Sequence, residues 1–412
     1  MQQEQMEARK QRGYEIAKKT RITQNEKGNW KVPSQSGSGY YIVESNGFEA
    51  KCSCPDYETR HCKCKHLWAV EMIVTKQVDS EGNVTITQTV KKTYKQDWKN
   101  YNLSQQKEKE LFMKFLADIT STIQQPSYKF GRPTLALVDM VYSIAFKTYS
   151  TFSGRRFTTD MKTAKESGYV EQQPHYNSIF NYFAKEELTP LLSQIVQLTS
   201  LPLQSIEHDF AIDSTGFGTS NFQRWYSFKH GKEISSRRWV KCHFITGVKS
   251  NIITSVKITS EFDNDCPLLP ELVKETAQNF EMQEVSGDKA YLSRENFKAI
   301  QEQGTVPFVP FKSNSTGKSR GCMLWNKMYH YFMLNNEEFL QHYHKRSNIE
   351  TTNHMIKSKF GSSVRSKSWT AQVNEVLCKI ICHNIVCVIH EMHSLGIQPD
   401  FCLKSQESAQ EV

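Results

Sequence analysis

No uninterrupted run of apolar residues in this chain reaches the ~20 needed to cross a bilayer. The first 25 residues are polar and charged, without the apolar centre of an export signal. No internal repeat is visible. The eleven cysteines are odd in number, and four of them crowd into positions 52–64. That pattern favours a metal site plus free thiols over a disulfide framework. These lacks argue against a membrane-spanning or disulfide-stapled protein and predict a cytoplasmic one. Hydrophobic residues make up 38% and aromatics 11%, so large cores are possible and global disorder is not indicated.

The 412 residues suffice for two or three domains. The formal net charge of +9 is uneven. Residues 1–100 carry 17 Lys/Arg against 12 Asp/Glu and residues 301–400 carry 11 against 7, whereas residues 201–300 carry 12 against 13. Positive excess toward both ends suggests a polyanionic partner, with a solvated surface as the plain alternative.

The order of patterns predicts a small N-terminal module and linker over 1–100. A helical region follows over 101–205, then a mixed α/β segment over 206–395 and a loose tail over 396–412. In the first, a polar helical lead-in precedes Tyr40-Tyr41-Ile42-Val43, Asn46-Gly47 and Phe48-Glu49-Ala50, a hairpin signal. A short amphipathic helix follows at His66–Val74, and the Lys- and Thr-rich stretch 75–100 reads as a linker.

In the helical region, Leu111, Phe112, Phe115, Leu116 and Ile119 fall at helical spacing. Pro133, after Gly131-Arg132, opens a second apolar helix. Helices around Thr159–Ser167 and His175–Phe183, joined through Gly168, suit either a helix-turn-helix DNA reader or a plain bundle.

Beyond 206, strands are predicted at His208–Ile212, Trp239–Val248, Ile252–Ile258, Glu284–Ser286 and Val306–Phe311. Helices are predicted at Pro267–Asn279 and Ser293–Gln303, and two long ones over 336–359 and 370–395. Strands followed by alternating helices and strands predict a mixed α/β sheet. The most apolar run, Ile380–Ile389, holds His383 and Asn384 and reads as a buried helix.

Two constellations carry chemistry. The first is Cys52-Ser53-Cys54, nine residues, then Cys64-Lys65-His66. Three thiolates and an imidazole suit tetrahedral Zn²⁺, which would tie the hairpin to the following helix. His61 and Cys62 are further candidate ligands, and Cys62 with Cys64 could replace the Cys64/His66 pair. The pattern over residues 38–75 resembles the SWIM zinc finger, and that likeness favours Cys52, Cys54, Cys64 and His66 as ligands. It implies binding to DNA or protein.

The second is Tyr343, Arg346, Glu350 and Lys357. At ~100° per helical residue, the last three lie at about 300°, 340° and 320° from Tyr343, on one stripe. A carboxylate binds a hard divalent cation, and Arg and Lys hold phosphate oxygens. Between 345 and 367, Glu350 is the only acid among six basic residues, Lys345, Arg346, Lys357, Lys359, Arg365 and Lys367. These six are the candidate DNA contacts. A solvated helix face with an Arg346–Glu350 pair is the plain alternative.

The stripe resembles the Y-(2)-R-(3)-E-(6)-K signature of insertion-sequence DDE transposases. That likeness covers about 206–395. It implies a ribonuclease H-like catalytic domain with two upstream aspartates at strand ends. Asp213, after Phe210-Ala211-Ile212, and Asp288, before Lys289-Ala290-Tyr291, match. Asp209, Asp263 and Asp265 lack a strand end with small flanks. Arg238-Trp239-Val240-Lys241-Cys242-His243 resembles the family's second strand.

The resemblance implies two Mg²⁺ (or Mn²⁺) ions held by Asp213, Asp288 and Glu350, with Tyr343, Arg346 and Lys357 completing the catalytic set. It also implies recognition of transposon ends and target DNA by a homodimer, nucleoid association, and cut-and-paste transposition. The alternatives are a transposase-derived DNA-binding or regulatory protein and a nuclease without strand transfer. Only 62 positions separate Asp288 from Glu350, so a domain inserted there must be small.

Overall fold

In the computed structural model, residues 2–20, 22–25, 28–35, 39–45, 50–78, 84–88, 97–127, 130, 134–219 and 238–401 are described. The Asn46-Gly47 turn and the Gly131-Arg132-Pro133 helix start lie outside them. The chain divides into two units, Met1–Gln96 and Asp97–Val412.

The first unit begins with helix α1 (Gln2–Lys19). Strands β1 (Thr23–Gln24), β2 (Trp30–Pro33), β3 (Tyr40–Ser45) and β4 (Ala50–Cys52) follow, paired antiparallel in chain order. Alternation along β2 turns Trp30 and Val32 inward. They meet Val43, Ile16 of α1, and Leu67, Ala69 and Val70 of helix α3 (Lys65–Ile73). Helices α1 and α3 touch closely at Gly13, where a Cβ would stand 2.6 Å from Trp68 Cβ. Short helix α2 (Pro55–Arg60) separates the two ligand pairs. The stretch expected as linker instead pairs β5 (Val74–Val78) with β6 (Val84–Gln88). Its recurring β-branched residues favour strand, and its polar, Lys-rich composition masks that preference.

In the second unit five helices come first: α4 (Trp98–Ser121), α5 (Leu137–Ser150), α6 (Gly154–Glu166), α7 (Tyr176–Phe183) and α8 (Leu188–Ser200). A five-stranded mixed sheet follows. Strands β7 (Asp209–Gly218), β8 (Trp239–Gly247) and β9 (Ile253–Ser260) are antiparallel. Strands β10 (Glu284–Gly287) and β11 (Val306–Phe308) run parallel to β7, giving the order β11-β10-β7-β8-β9.

One sheet face packs Phe210, Ile212 and Ile245 on helix α9 (Leu269–Ala277) and helix α10 (Arg294–Glu302). The opposite face packs Ala211, Phe217, Cys242 and Phe244 into the core formed with α4 to α8 and the C-terminal helices α13 (Ser347–Phe360) and α14 (Trp369–Leu395). The helical region therefore shares its core with the sheet. Phe157, Met161, Ile179 and Phe183 of α6 and α7 are buried there.

Helix α14 is long and apolar enough to cross a membrane, but 89% of its apolar window is inside this core. Its buried polar groups find partners. Asn384 accepts from Ile253 N–H at 2.9 Å and donates to Ile253 O at 2.7 Å and Thr199 Oγ1 at 3.0 Å. His383 Nε2 meets Asn251 O at 2.8 Å. Leaving such groups unpaired in a core costs ~1–3 kcal/mol each.

The 62 positions after Asp288 hold α10, β11, α11 (Met323–Leu334) and α12 (Asn336–His344). An aromatic cluster of Phe297, Phe308, Phe311, Trp325 and Phe339 unites them. The single helix expected over 336–359 is two, α12 and α13. Lys345, Arg346, Asn348 and Ile349 bond three residues back instead of four, tightening the join.

Candidate active site and metal centre

Asp213 lies within β7, opposite Phe244 of β8. The expectation that the strand ends there is corrected. Ser214 to Gly218 continue the pairing with β8, where Thr215 and Phe217 favour strand and the cross-strand pairing carries the glycines. The relevant end belongs to the neighbour. The last β10–β7 pair is Gly287 with Ile212, so Asp213 and Asp288 are the next residues on adjacent parallel strands. Gly287 permits this approach, since a Cβ there would stand 2.9 Å from Ile212 Cγ2. Asp288 caps the following turn by accepting from Ala290 N–H at 2.8 Å.

Alternation puts Asp213 on the face of Ala211, Thr215 and Phe217, toward α13. Arg346, just before α13, donates from Nη2 to Asp213 Oδ2 at 3.3 Å. Its Nη1 stands 3.9 Å from Glu350 Oε1. Glu350 is 73% exposed, Asp213 only 19%. Lys357 lies over the Phe217 ring at 5.9 Å. Burial raises the Asp213 carboxyl above its usual range and lowers the Lys357 ammonium below its own. Arg346 opposes the first shift, while Asp288 and Asp265 add to it.

The tightened join separates Tyr343 from this group. Its ring packs against the aromatic cluster of α10 to α12. Arg346, just before α13, stays beside Glu350, and Lys357 follows about two turns further along that helix on the side of Phe217, whereas a continuous helix through Tyr343 is corrected. Lys345 donates to Asp209 Oδ2 and Glu284 Oε1, both at 2.7 Å, and Lys359 pairs with Glu108. Arg365 and Lys367 are exposed.

Asp213, Asp288 and Glu350 supply only oxygen ligands, the donor type a hard divalent cation takes. Two stand side by side and the third shares Arg346 with the first, so the set fits such ions in kind. The three are not drawn tightly together. Among the described residues, one set of His, Cys, Asp or Glu side chains is close enough to share an ion, and it lies elsewhere.

That set is Cys52, Cys54, Cys64 and His66, all buried, with ligand atoms within 4.8 Å of one another. The end of β4 supplies the first pair, and the start of α3 supplies the second. His66 Nδ1 is 3.8 Å from Cys52 Sγ and 4.0 Å from Cys64 Sγ. Tetrahedral zinc with ordinary bond lengths separates its ligands by roughly 3.6–3.8 Å. The Tyr41 ring, 4.7 Å away, flanks the imidazole. A hydrogen bond between Cys52 and Cys64 lowers the Cys64 thiol to about 4 and raises Cys52. The residues fit zinc, and Cys62 stands outside the set.

Sequence reasoning set Asp265 aside for want of a strand end. It pairs with Lys241, and its Oδ1 is 3.2 Å from His243 Nδ1. His243 Nε2 meets Thr259 Oγ1 at 2.8 Å. Tyr291 is buried with its hydroxyl unpartnered, and the charges of Asp265, Asp213 and Asp288 act on it. Period-2 alternation puts Lys241 and His243 on one face, a signal already in the sequence. Nothing in the sequence brings Asp265 to them.

Residues 205–385 match the family model of the transposase DDE domain. The matched segment contains the whole sheet, Asp213, Asp288 and Glu350. It supports a DDE transposase, a class that acts on DNA. No curated protein and no solved structure matches the chain.

Proposed function

We propose that this protein is a transposase that binds the ends of a mobile DNA element, cleaves them in a divalent-metal-dependent reaction and joins them to target DNA. The observation that carries the reading is the adjacency of Asp213 and Asp288 on parallel strands, with Glu350 on the facing helix and Arg346 just before it. The mixed sheet that presents them supports a ribonuclease H-like catalytic domain. Asp213, Asp288 and Glu350 would hold two Mg²⁺ or Mn²⁺ ions. Such ions, when bound, activate the attacking oxygen and stabilise the leaving one.

The chain's own residues supply the rest. Arg346 orients Asp213 through its hydrogen bond and spreads positive charge between two carboxylates. Lys357, half-buried on the same face, offers a cation to a phosphate oxygen. The Cys52, Cys54, Cys64 and His66 cluster would hold Zn²⁺ in a SWIM-type module that recognises element ends. A homodimer on DNA and nucleoid association belong to the same reading.

The test uses the full chain with a labelled duplex carrying the element's terminal repeat. Glu350→Gln should lower cleavage on the order of 10²–10³-fold while DNA binding persists. Retained cleavage would rule out the assigned triad. Nicks without joined products in the wild type would favour a nuclease instead.

A further inference from the structure

A cavity of about 110 Å³ opens where α5, α7, the loop after α13 and the start of α14 meet. Its lining brings three cations together: Lys147, Arg365 and Lys379. Lys147 is 7% exposed, and its ammonium makes no hydrogen bond or ion pair among the described residues. Lys379 is 2% exposed and donates to Gly361 O at 2.8 Å and Ser363 O at 2.7 Å. The one acid in the lining, Glu375, is already engaged. It accepts the backbone N–H groups of Arg365 at 3.0 Å and Ser366 at 2.9 Å.

Burying a cation without a partner costs several kcal/mol, so such sites are normally paired. Here, among the described residues, three cations share one carboxylate, Glu375, and the Lys147 ammonium otherwise has the Phe157 ring at 5.9 Å. Burial lowers both lysines to about 8, with Arg365 adding to the push on Lys147 and Glu375 opposing it. The loop bearing Arg365 is held in place. Gly218 N–H donates to Ser362 O and Val364 N–H to Gly218 O, both at 3.0 Å.

Basic and aromatic residues adjoin the lining. Arg365 reaches Phe152 O at 3.4 Å, and Arg156 lies over the Phe152 ring at 5.1 Å. Arg155 lies 6.0 Å from the Tyr176 ring, and Phe180, 46% exposed, lines the mouth. Interleaved cations and rings are what a nucleic-acid backbone follows.

We propose that this cavity is a phosphate-binding site, separate from the carboxylate site, that takes one backbone phosphate of the DNA. Only the source of the phosphate rests on the DNA reading above.

The test compares wild type with Lys147→Met, which keeps the chain length and removes the charge. Thermal unfolding of the full chain is followed in inorganic phosphate and in sodium chloride at matched ionic strength. Binding of a short duplex is followed against salt. Phosphate should raise the wild-type Tm and leave that of the variant unchanged. The variant's own Tm should be equal or higher, which a purely structural lysine would not give. The slope of log K against log salt should fall by about one for the variant, with roughly tenfold weaker binding.

Loss of the phosphate effect with an unchanged DNA slope would overturn the DNA source and leave a free-phosphate site. No change in either measurement would overturn the site itself. Arg365→Ala, outside the core, gives the same two readings if Lys147→Met does not fold. Failure of the transposase reading would appear in the Glu350→Gln cleavage assay and would not move the phosphate-dependent Tm.

Discussion

The two candidate metal sites of this chain are assembled to different degrees. The four ligands of the cysteine cluster lie within 4.8 Å of one another, whereas the three acidic residues are arrayed along one side of a sheet with Arg346 among them. The difference follows from ligand chemistry. Cysteine side chains pack in an apolar core and hydrogen-bond to one another, which lets the fold hold them close. Carboxylates are charged and repel, so they close up only around a cation. In this structure the guanidinium of Arg346 supplies that charge for Asp213.

Substitutions should separate the two sites. The largest effect is expected for Cys64→Ser. Structural zinc contributes on the order of 10 kcal/mol to small zinc modules. The full chain should lose its zinc by elemental analysis, and α1 and α3 should lose hydrogen-exchange protection. Zinc retained at wild-type stoichiometry would show that the gathered thiols are not the ligands.

Arg346→Lys should act in the middle range. A lysine cannot reach both carboxylates with a planar fork. A charged hydrogen bond of about 1.5–3 kcal/mol is lost, lowering cleavage about ten- to a hundredfold with little change in thermal stability. Full activity would mean that Arg346 is a bystander in the acidic site. The smallest effect is expected for Cys62→Ser. It should leave zinc content intact and shift stability by no more than about 0.5 kcal/mol. Loss of metal would bring Cys62 into the ligand set.

Much of both sites was legible in the sequence because short spacings set them. The Cys52/Cys54 and Cys64/His66 pairs need only a hairpin end and a helix start. Arg346, Glu350 and Lys357 need only helical periodicity. The strand containing Asp213 was recognisable, but its length was not. Its continuation to Gly218 depends on pairing with β8, a tertiary property. The break at Lys345 and Arg346 was equally hidden, since both residues keep helical angles and only the bonding changes. Asp265 and the Lys147 cavity join residues distant in sequence, and no local pattern announces either.

Asn384 has a consequence for assembly. Its amide occupies both the N–H and the C=O of Ile253, at the start of a strand on the margin of the sheet. An exposed margin is a template on which another chain can add a strand. At the other margin, β11 is three residues long and contains Pro307, which has no N–H to offer. Each margin thereby loses one position at which a further strand could bond.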